Sequence, residues 1–199
     1  MRSDAVRNRA RVLDAARELL GRDGLDAQMD EIAASAGVGV GTVYRHFATK
    51  ESLLEALADD YFVGQQENAT RALQIGDPWE GFATLVRRGA ELMAGNRALA
   101  QISADRPELM QHAAEAANQE YGFFSTVERV IRRAQDAGEL RPDFELSDIP
   151  SIMCSVGALA ISPKSAANWR RMLAFVLDGL RSEAAGDLPP ATQLPGLNV

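Results

Sequence analysis

At 199 residues, 46% hydrophobic and 25% charged, the chain can bury one substantial core or a small and a medium one. A net charge of −7 speaks against a uniformly basic nucleic-acid coat, and the single cysteine, Cys154, rules out an internal disulfide and a cysteine-based metal site. No run of 18 apolar residues occurs and the N-terminus lacks an apolar signal core, so a cytoplasmic protein without a membrane partner is expected.

The charge is unevenly spread. Residues 1–50 carry 8 Lys or Arg against 7 Asp or Glu, and residues 51–199 carry 13 against 21. A phosphate-binding surface must therefore be local and N-terminal, built from Arg2, Arg7, Arg9, Arg11, Arg45 and Lys50, while the acidic remainder limits non-specific binding.

In chain order, Val6, Ala10, Leu13, Ala16 and Leu20 recur at helical spacing on a first helix that ends at Gly24. Ile32, Ala33 and Ala36 mark a second helix. Gly37 stops it, because only glycine readily enters the left-handed conformation, and a short third helix follows at once. This is the pattern of a helix-turn-helix. Val43 and Phe47 lie four apart and face inward, while Thr42, Tyr44, Arg45 and His46 fan outward with groups suited to phosphates and base edges.

Thr49 can cap a fourth helix that carries Leu53, Leu54, Leu57 and Tyr61 past residue 70. Asp77-Pro78-Trp79-Glu80 combines an Asp cap, Pro at the first helical position and Glu closing a capping box, opening a fifth helix that Gly95 ends. A short sixth helix is expected over residues 97–103. A long seventh runs from Pro107 through Leu109, Ala113, Ala117, Tyr121, Phe124, Val127 and Ile131 to the linker at residues 138–142. Residues 149–161 are apolar nearly all round, and residues 163–183 carry a wide stripe. The tail from residue 187 lacks periodicity and is expected to be disordered. The fold class is all-α with about nine helices. A DNA-binding unit spans residues 1–48, and a ligand-binding and dimerisation unit spans 49–186.

Arg11-Val12-Leu13-Asp14-Ala15-Ala16, Gly24, Met29-Asp30-Glu31-Ile32-Ala33, Ala36-Gly37-Val38, Gly41-Thr42-Val43-Tyr44-Arg45-His46-Phe47 and Lys50-Glu51-Ser52-Leu53-Leu54 stand at family spacing. On these residues the chain resembles the TetR family of bacterial transcriptional regulators. The turn at residues 138–143 is family-like as well. The resemblance implies a dimer with an N-terminal three-helix DNA reader and a divergent C-terminal ligand domain. The DNA-binding set expected from the residues and this resemblance together is Arg7, Gly39, Val40, Gly41, Thr42, Tyr44, Arg45, His46 and Lys50. Within that set, Gly41 and Thr42 approach bases, Tyr44 and His46 grip phosphates, and Lys50 meets the backbone at a helix start. Two positions depart from the family. Ala27-Gln28 stand where relatives place a Thr or Ser cap, and Val40 is apolar where a polar base reader is common, which leaves Thr42 and Arg45 as candidates for specificity.

Helical stripes of Met and aromatic residues are as a rule core. Those that a pocket would recruit are Trp79, Phe82, Met93, Met110, Tyr121, Phe123, Phe124 and Cys154, the last equally readable as a small buried hydrophobe. Terminal helices as apolar as the last pair need cover; a single small domain could supply it, but a second copy of the chain is the better account, through Ile152, Val156, Trp169, Leu173, Val176, Leu177 and Leu180. The chain lacks a phosphate-cradling Gly-rich loop, paired metal ligands and a nucleophile elbow. With only His46 and His112 available for a triad, neither an enzyme nor a cofactor is expected. The expected partners are double-stranded operator DNA, a second copy and an apolar or aromatic inducer. The alternative is a DNA-binding dimer without a small-molecule ligand, constitutive or controlled by a protein.

Overall fold

The computed structural model describes residues 2–184 together with residues 186, 188 and 189. The tail expected from residue 187 lies, apart from residues 188 and 189, outside the described residues, as does the side chain of Arg2. Among the described residues there are ten α-helices and no strand. They are α1 (Arg2–Asp23), α2 (Met29–Ala36), α3 (Val40–His46), α4 (Lys50–Ala72), α5 (Pro78–Ala94), α6 (Arg97–Asp105), α7 (Pro107–Tyr121), α8 (Phe123–Asp136), α9 (Asp148–Ile161) and α10 (Trp169–Gly179). A 3₁₀ turn, Ser182–Ala184, follows α10. No helix in this part of the chain is long and apolar enough to cross a membrane.

The helix boundaries follow from local chemistry. Asp77 Oδ1 accepts the Glu80 N–H at 2.7 Å and caps α5 as its sequence predicts. The Glu80 carboxylate does not close the box; it takes Arg87 Nη1 at 2.8 Å instead. The largest departure from the periodicity is at Gly122, where one expected long helix becomes α7 and α8. Gly122 has φ 66°, and its carbonyl accepts the Thr126 N–H at 3.0 Å and the Ser125 hydroxyl at 2.9 Å. Asn118 Oδ1 accepts the Phe124 N–H. The apolar stripe runs unbroken across this joint because both helices pack against α4, so periodicity alone cannot register the break.

Two further expectations need correction. Val6 is 70% exposed and Ala10 is exposed, since the first turns of α1 project past their neighbours and continuous burial starts at Val12. Residues 162–168 form turns rather than the start of the last helix. Pro163 cannot continue α9, and the Ser162 carbonyl is taken by the N–H groups of Ser165 and Ala166.

The core is continuous from α1 to α10. Fully buried Phe82 packs between the rings of Trp79 and Phe144, with centroids at 5.7 and 5.2 Å. The 138–143 turn closes the bottom of this layer. An antiparallel bridge joins Leu140 to Arg181, and the buried Arg141 guanidinium pairs with Asp143 and donates to the Gly186 carbonyl at 2.7 Å. That guanidinium holds the Asp143 carboxyl below its ordinary range.

Candidate DNA-reading face and internal cavity

The helix-turn-helix is fixed by its turn. Gly37 lies at φ 62° and donates its N–H to the Ala34 carbonyl, while the Val38 N–H reaches the Ala33 carbonyl at 3.0 Å, the pair of bonds that closes a helix C-terminus. From α1, Arg11 Nη2 donates to the Gly37 carbonyl at 3.2 Å. A Cβ on Gly37 would stand 2.7 Å from that nitrogen, a contact the end of the Arg11 side chain can yield, so it is the left-handed conformation that demands glycine here. Gln28 fills the position where a Thr or Ser cap is common, and its N–H donates to Glu31 Oε2 at 2.8 Å.

On α3, Val43 is fully buried and Phe47 nearly so, with the Arg9 guanidinium 5.4 Å from the Phe47 ring centroid. Gly39, Val40, Gly41, Tyr44 and Arg45 are exposed, and Thr42 and His46 are half-buried. The outward face expected from the sequence is therefore present. Arg45 lies along it, donating from Nε to the Gly41 carbonyl at 3.2 Å and from Nη2 to Thr42 Oγ1 at 2.9 Å. Exposed Arg7 pairs with Asp4 at 2.5 Å. Lys50 opens α4 beside Thr49, whose Oγ1 accepts the Ser52 N–H at 3.1 Å while Ser52 Oγ accepts the Thr49 N–H. A cation there adds to the positive end of the helix dipole.

At the second residue of α4, Glu51 meets Arg106, the residue between α6 and α7. Arg106 Nη1 donates to Glu51 Oε1 at 2.7 Å and its Nε to Glu108 Oε1 at 2.6 Å. The guanidinium holds both carboxyls below their usual range. The start of α4 is thus strapped to the junction of α6 and α7.

That junction is also a wall of a cavity of about 290 Å³ among α4 to α9. Its lining is mostly apolar. Of the residues nominated from the sequence, Met93, Met110, Phe123, Phe124 and Cys154 line it. Cys154 is exposed rather than buried, with Sγ 3.5 Å from Ser103 Oγ. Trp79 and Phe82 do not line it. They lie in the core layer against Phe144 and Arg181, because the α5 face that carries them turns toward the 138–143 closure. Tyr121 is nearly half exposed at the end of α7, on the outside.

Sequence reasoning missed the contribution of α4, where Tyr61, Phe62 and Gln65 form one side of the cavity. Gln65 and Asn68 are buried polar residues. The Tyr61 hydroxyl bonds the Gln65 side chain, Gln65 Oε1 accepts from Asn68 Nδ2 at 3.4 Å, and Asn68 Nδ2 donates to the Leu85 carbonyl at 2.9 Å. Burial pushes the Tyr61 phenol well above its ordinary pKa, so it stays a neutral hydroxyl. Gly89 makes room for this ladder, since a Cβ there would sit 3.2 Å from both polar atoms of the Gln65 amide. The available signal was the continuation of the Leu57-Tyr61 stripe into Gln65 and Asn68, polar groups at apolar register.

The nominated dimer residues divide. Val156, Trp169, Leu173, Leu177 and Leu180 are buried within their own chain, so they are core and not an open face. Ile152 and Val176 are half-buried. On α10 the open apolar surface is Phe175, 63% exposed, next to half-buried Met172.

A helix-turn-helix joined by one long helix to an all-α unit with an apolar cavity defines the class, a helix-turn-helix transcriptional regulator. Residues 12–57 match the family described as bacterial regulatory proteins of the tetR family, and residues 77–182 match the C-terminal domain of SbtR-like transcriptional regulators. The HTH-type transcriptional regulator UidR of Escherichia coli (strain K12) is 27% identical over 196 residues, covering 94% of this chain and 96% of UidR. The crystal structure of a TetR transcription regulatory protein from Mycobacterium vanbaalenii is 34% identical with a TM-score of 0.62, covering 90% of this chain and 98% of that one. The TetR regulator SCO0520 from Streptomyces coelicolor is 28% identical with a TM-score of 0.59, over 87% and 98% of the two chains. The chain belongs to the TetR family of transcriptional regulators.

Proposed function

We propose that this regulator is a repressor that binds a near-palindromic operator as a dimer and is released by a small apolar or aromatic inducer held in the cavity. Residues 1–48 act as the DNA reader, and residues 49–186 bind the inducer and dimerise. Two α3 helices, one per subunit, enter successive major grooves about one helical turn apart, roughly 34–36 Å. Thr42 and Arg45 read bases from the exposed edge of α3. Arg7, Tyr44, His46 and Lys50 take phosphates, and Gly39, Val40 and Gly41 let the backbone approach.

The observation that carries the reading is the double use of α4. Its first residue, Lys50, is the one proposed to take a phosphate, and Tyr61, Phe62 and Gln65 line the cavity. The eleven steps between Lys50 and Tyr61 span about 16 Å of one rigid helix. A ligand that fills the cavity tilts that helix, and the Arg106–Glu51 pair makes its start follow the movement of the α6–α7 junction. It shifts the population only by binding the DNA-free arrangement more tightly than the DNA-bound one. Dimerisation proceeds through the outer faces of α9 and α10, where Ile152, Met172, Phe175 and Val176 present apolar surface.

The test is selection of duplexes from a random pool by the full chain, followed by titration of the selected site. Enrichment of an inverted repeat whose half-sites lie one turn apart, bound as a dimer and released by an apolar compound that also raises the melting temperature, is the expected result. Enrichment of no duplex over the starting pool overturns the operator-binding reading, and the failure of every apolar compound to weaken binding overturns the sensing one.

A further inference from the structure

Resting on the reading of the cavity as a ligand site, we infer that it selects a lipophilic cation over a neutral or anionic molecule of the same shape. Three observations converge. First, no Lys, Arg or His is among the residues lining the cavity, while Glu115 of α7 places a carboxylate in its wall. Gln111 Nε2 donates to Glu115 Oε1 at 3.0 Å, and among the described residues no cationic group pairs with this carboxylate. An anionic ligand would enter an apolar space with no positive partner and one negative neighbour, the most costly arrangement for a desolvated charge.

Second, four aromatic side chains surround the space. Tyr61, Phe62, Phe123 and Phe124 all line it; Phe62 and Phe123 meet edge to face at 5.6 Å and Phe123 and Phe124 are tilted at 5.8 Å. Faces of such rings carry negative potential and attract a cation that has shed its water, most of all a weakly hydrated quaternary one. Third, the polar ladder ending at Tyr61 and Gln65 offers neutral groups only, a phenol and an amide. It orients a ligand without adding positive charge. The surplus of acidic residues over residues 51–199, 21 against 13 basic ones, adds a long-range field of the same sign that draws cations toward the unit.

The experiment compares three probes of similar size on the full-length protein by calorimetry: benzyltrimethylammonium, its neutral carbon isostere neopentylbenzene, and the anion 3-phenylpropanoate. The cation is expected to bind about tenfold more tightly than the neutral isostere, with the anion weakest, and its affinity alone should fall with added salt. Glu115→Gln should bring cation and neutral probe to within about twofold while leaving the neutral probe unchanged. Circular dichroism of the variant checks its fold, and the salt titration of the unmodified protein gives an answer that needs no variant. If the neutral probe binds as tightly as the cation, or if the preference survives Glu115→Gln, the charge selectivity is wrong while the cavity remains a ligand site. If none of the three binds, the ligand-site reading falls with it.

Discussion

The Arg45 guanidinium donates to Thr42 Oγ1 at 2.9 Å, one turn back on the same exposed edge of α3. The two side chains assigned to base reading therefore hold each other in the free protein. If the pair reads bases as proposed, docking on DNA would redirect a preset pair, with less side-chain freedom to lose than two independent residues would have. Thr42→Ala removes both the hydroxyl and the methyl proposed to meet base edges and frees Arg45. It should cost about 1–3 kcal/mol at particular base pairs of the operator. Lys50→Ala should instead weaken all duplexes alike and lower the log-log salt slope by about 1. Binding isotherms at several salt concentrations on the operator and on single-base variants distinguish the two outcomes. An unchanged salt slope in Lys50→Ala removes Lys50 from the phosphate contacts.

Phe82 and Phe124 carry the same ring in different surroundings. Phe82 is fully buried between Trp79 and Phe144, so Phe82→Ala should cost about 3–5 kcal/mol of stability in denaturant melts. Phe124 borders a space that already exists and should be truncated more cheaply, by less than half that loss. The same Phe124→Ala change should alter the compound concentration needed for operator release. Equal stability losses at the two positions would mean that the cavity closes in solution.

Local rules made the helix-turn-helix of the first 50 residues legible and failed where tertiary packing decides. The helix-turn-helix is written in residues whose roles are local, with Gly37 for the turn, Val43 and Phe47 for the inside and Thr49 for the next cap, and the structure has each in that role. In the second half periodicity says that a face is covered and not by what. The stripe on α10 reads the same whether its cover is α9 or another copy, and Leu173 and Leu177 prove to be buried within the chain. The cavity is still less legible. Trp79 and Phe82 look as suitable as Phe123 and Phe124 until α5 is turned about its axis. The informative marks are Gln65 and Asn68, polar groups at apolar positions, together with Gly89, whose missing side chain makes the room.

Arg106 lowers the pKa of both Glu51 and Glu108, which fixes the sign of its pH dependence. A carboxylate with a folded pKa below its unfolded value stabilises the fold at neutral pH and loses that contribution as the pH falls below the ordinary carboxylate range, about 4. Both carboxylates are exposed, so the effect is small and sensitive to salt. Arg106→Ala should lower the melting temperature slightly at pH 7, and the difference from the unmodified protein should shrink as the pH falls below about 4. Melting curves collected from neutral to acid pH test this, and a difference that grows on acidification would refute the strap. If the strap also carries the signal, Arg106→Ala should leave compound binding intact while blunting its effect on operator affinity.

Assembly separates most clearly at Leu173 and Phe175, two residues apart on α10 and facing opposite ways. Leu173 is 4% exposed and Phe175 is 63% exposed, with the Arg171 guanidinium 4.9 Å from its ring centroid. Leu173→Glu buries an unpaired charge in the core of its own chain and should unfold or strongly destabilise the protein whatever its oligomeric state. Phe175→Glu puts the same charge on the open side of the helix. If α9 and α10 form the dimer contact, this variant should keep its helical circular dichroism while sedimenting as a monomer. It should also bind operator far more weakly, because one α3 makes half of the contacts. Phe175→Leu should remain dimeric, since it keeps an apolar surface. A folded Phe175→Glu protein that stays dimeric and binds operator normally would place the interface on another face of the molecule.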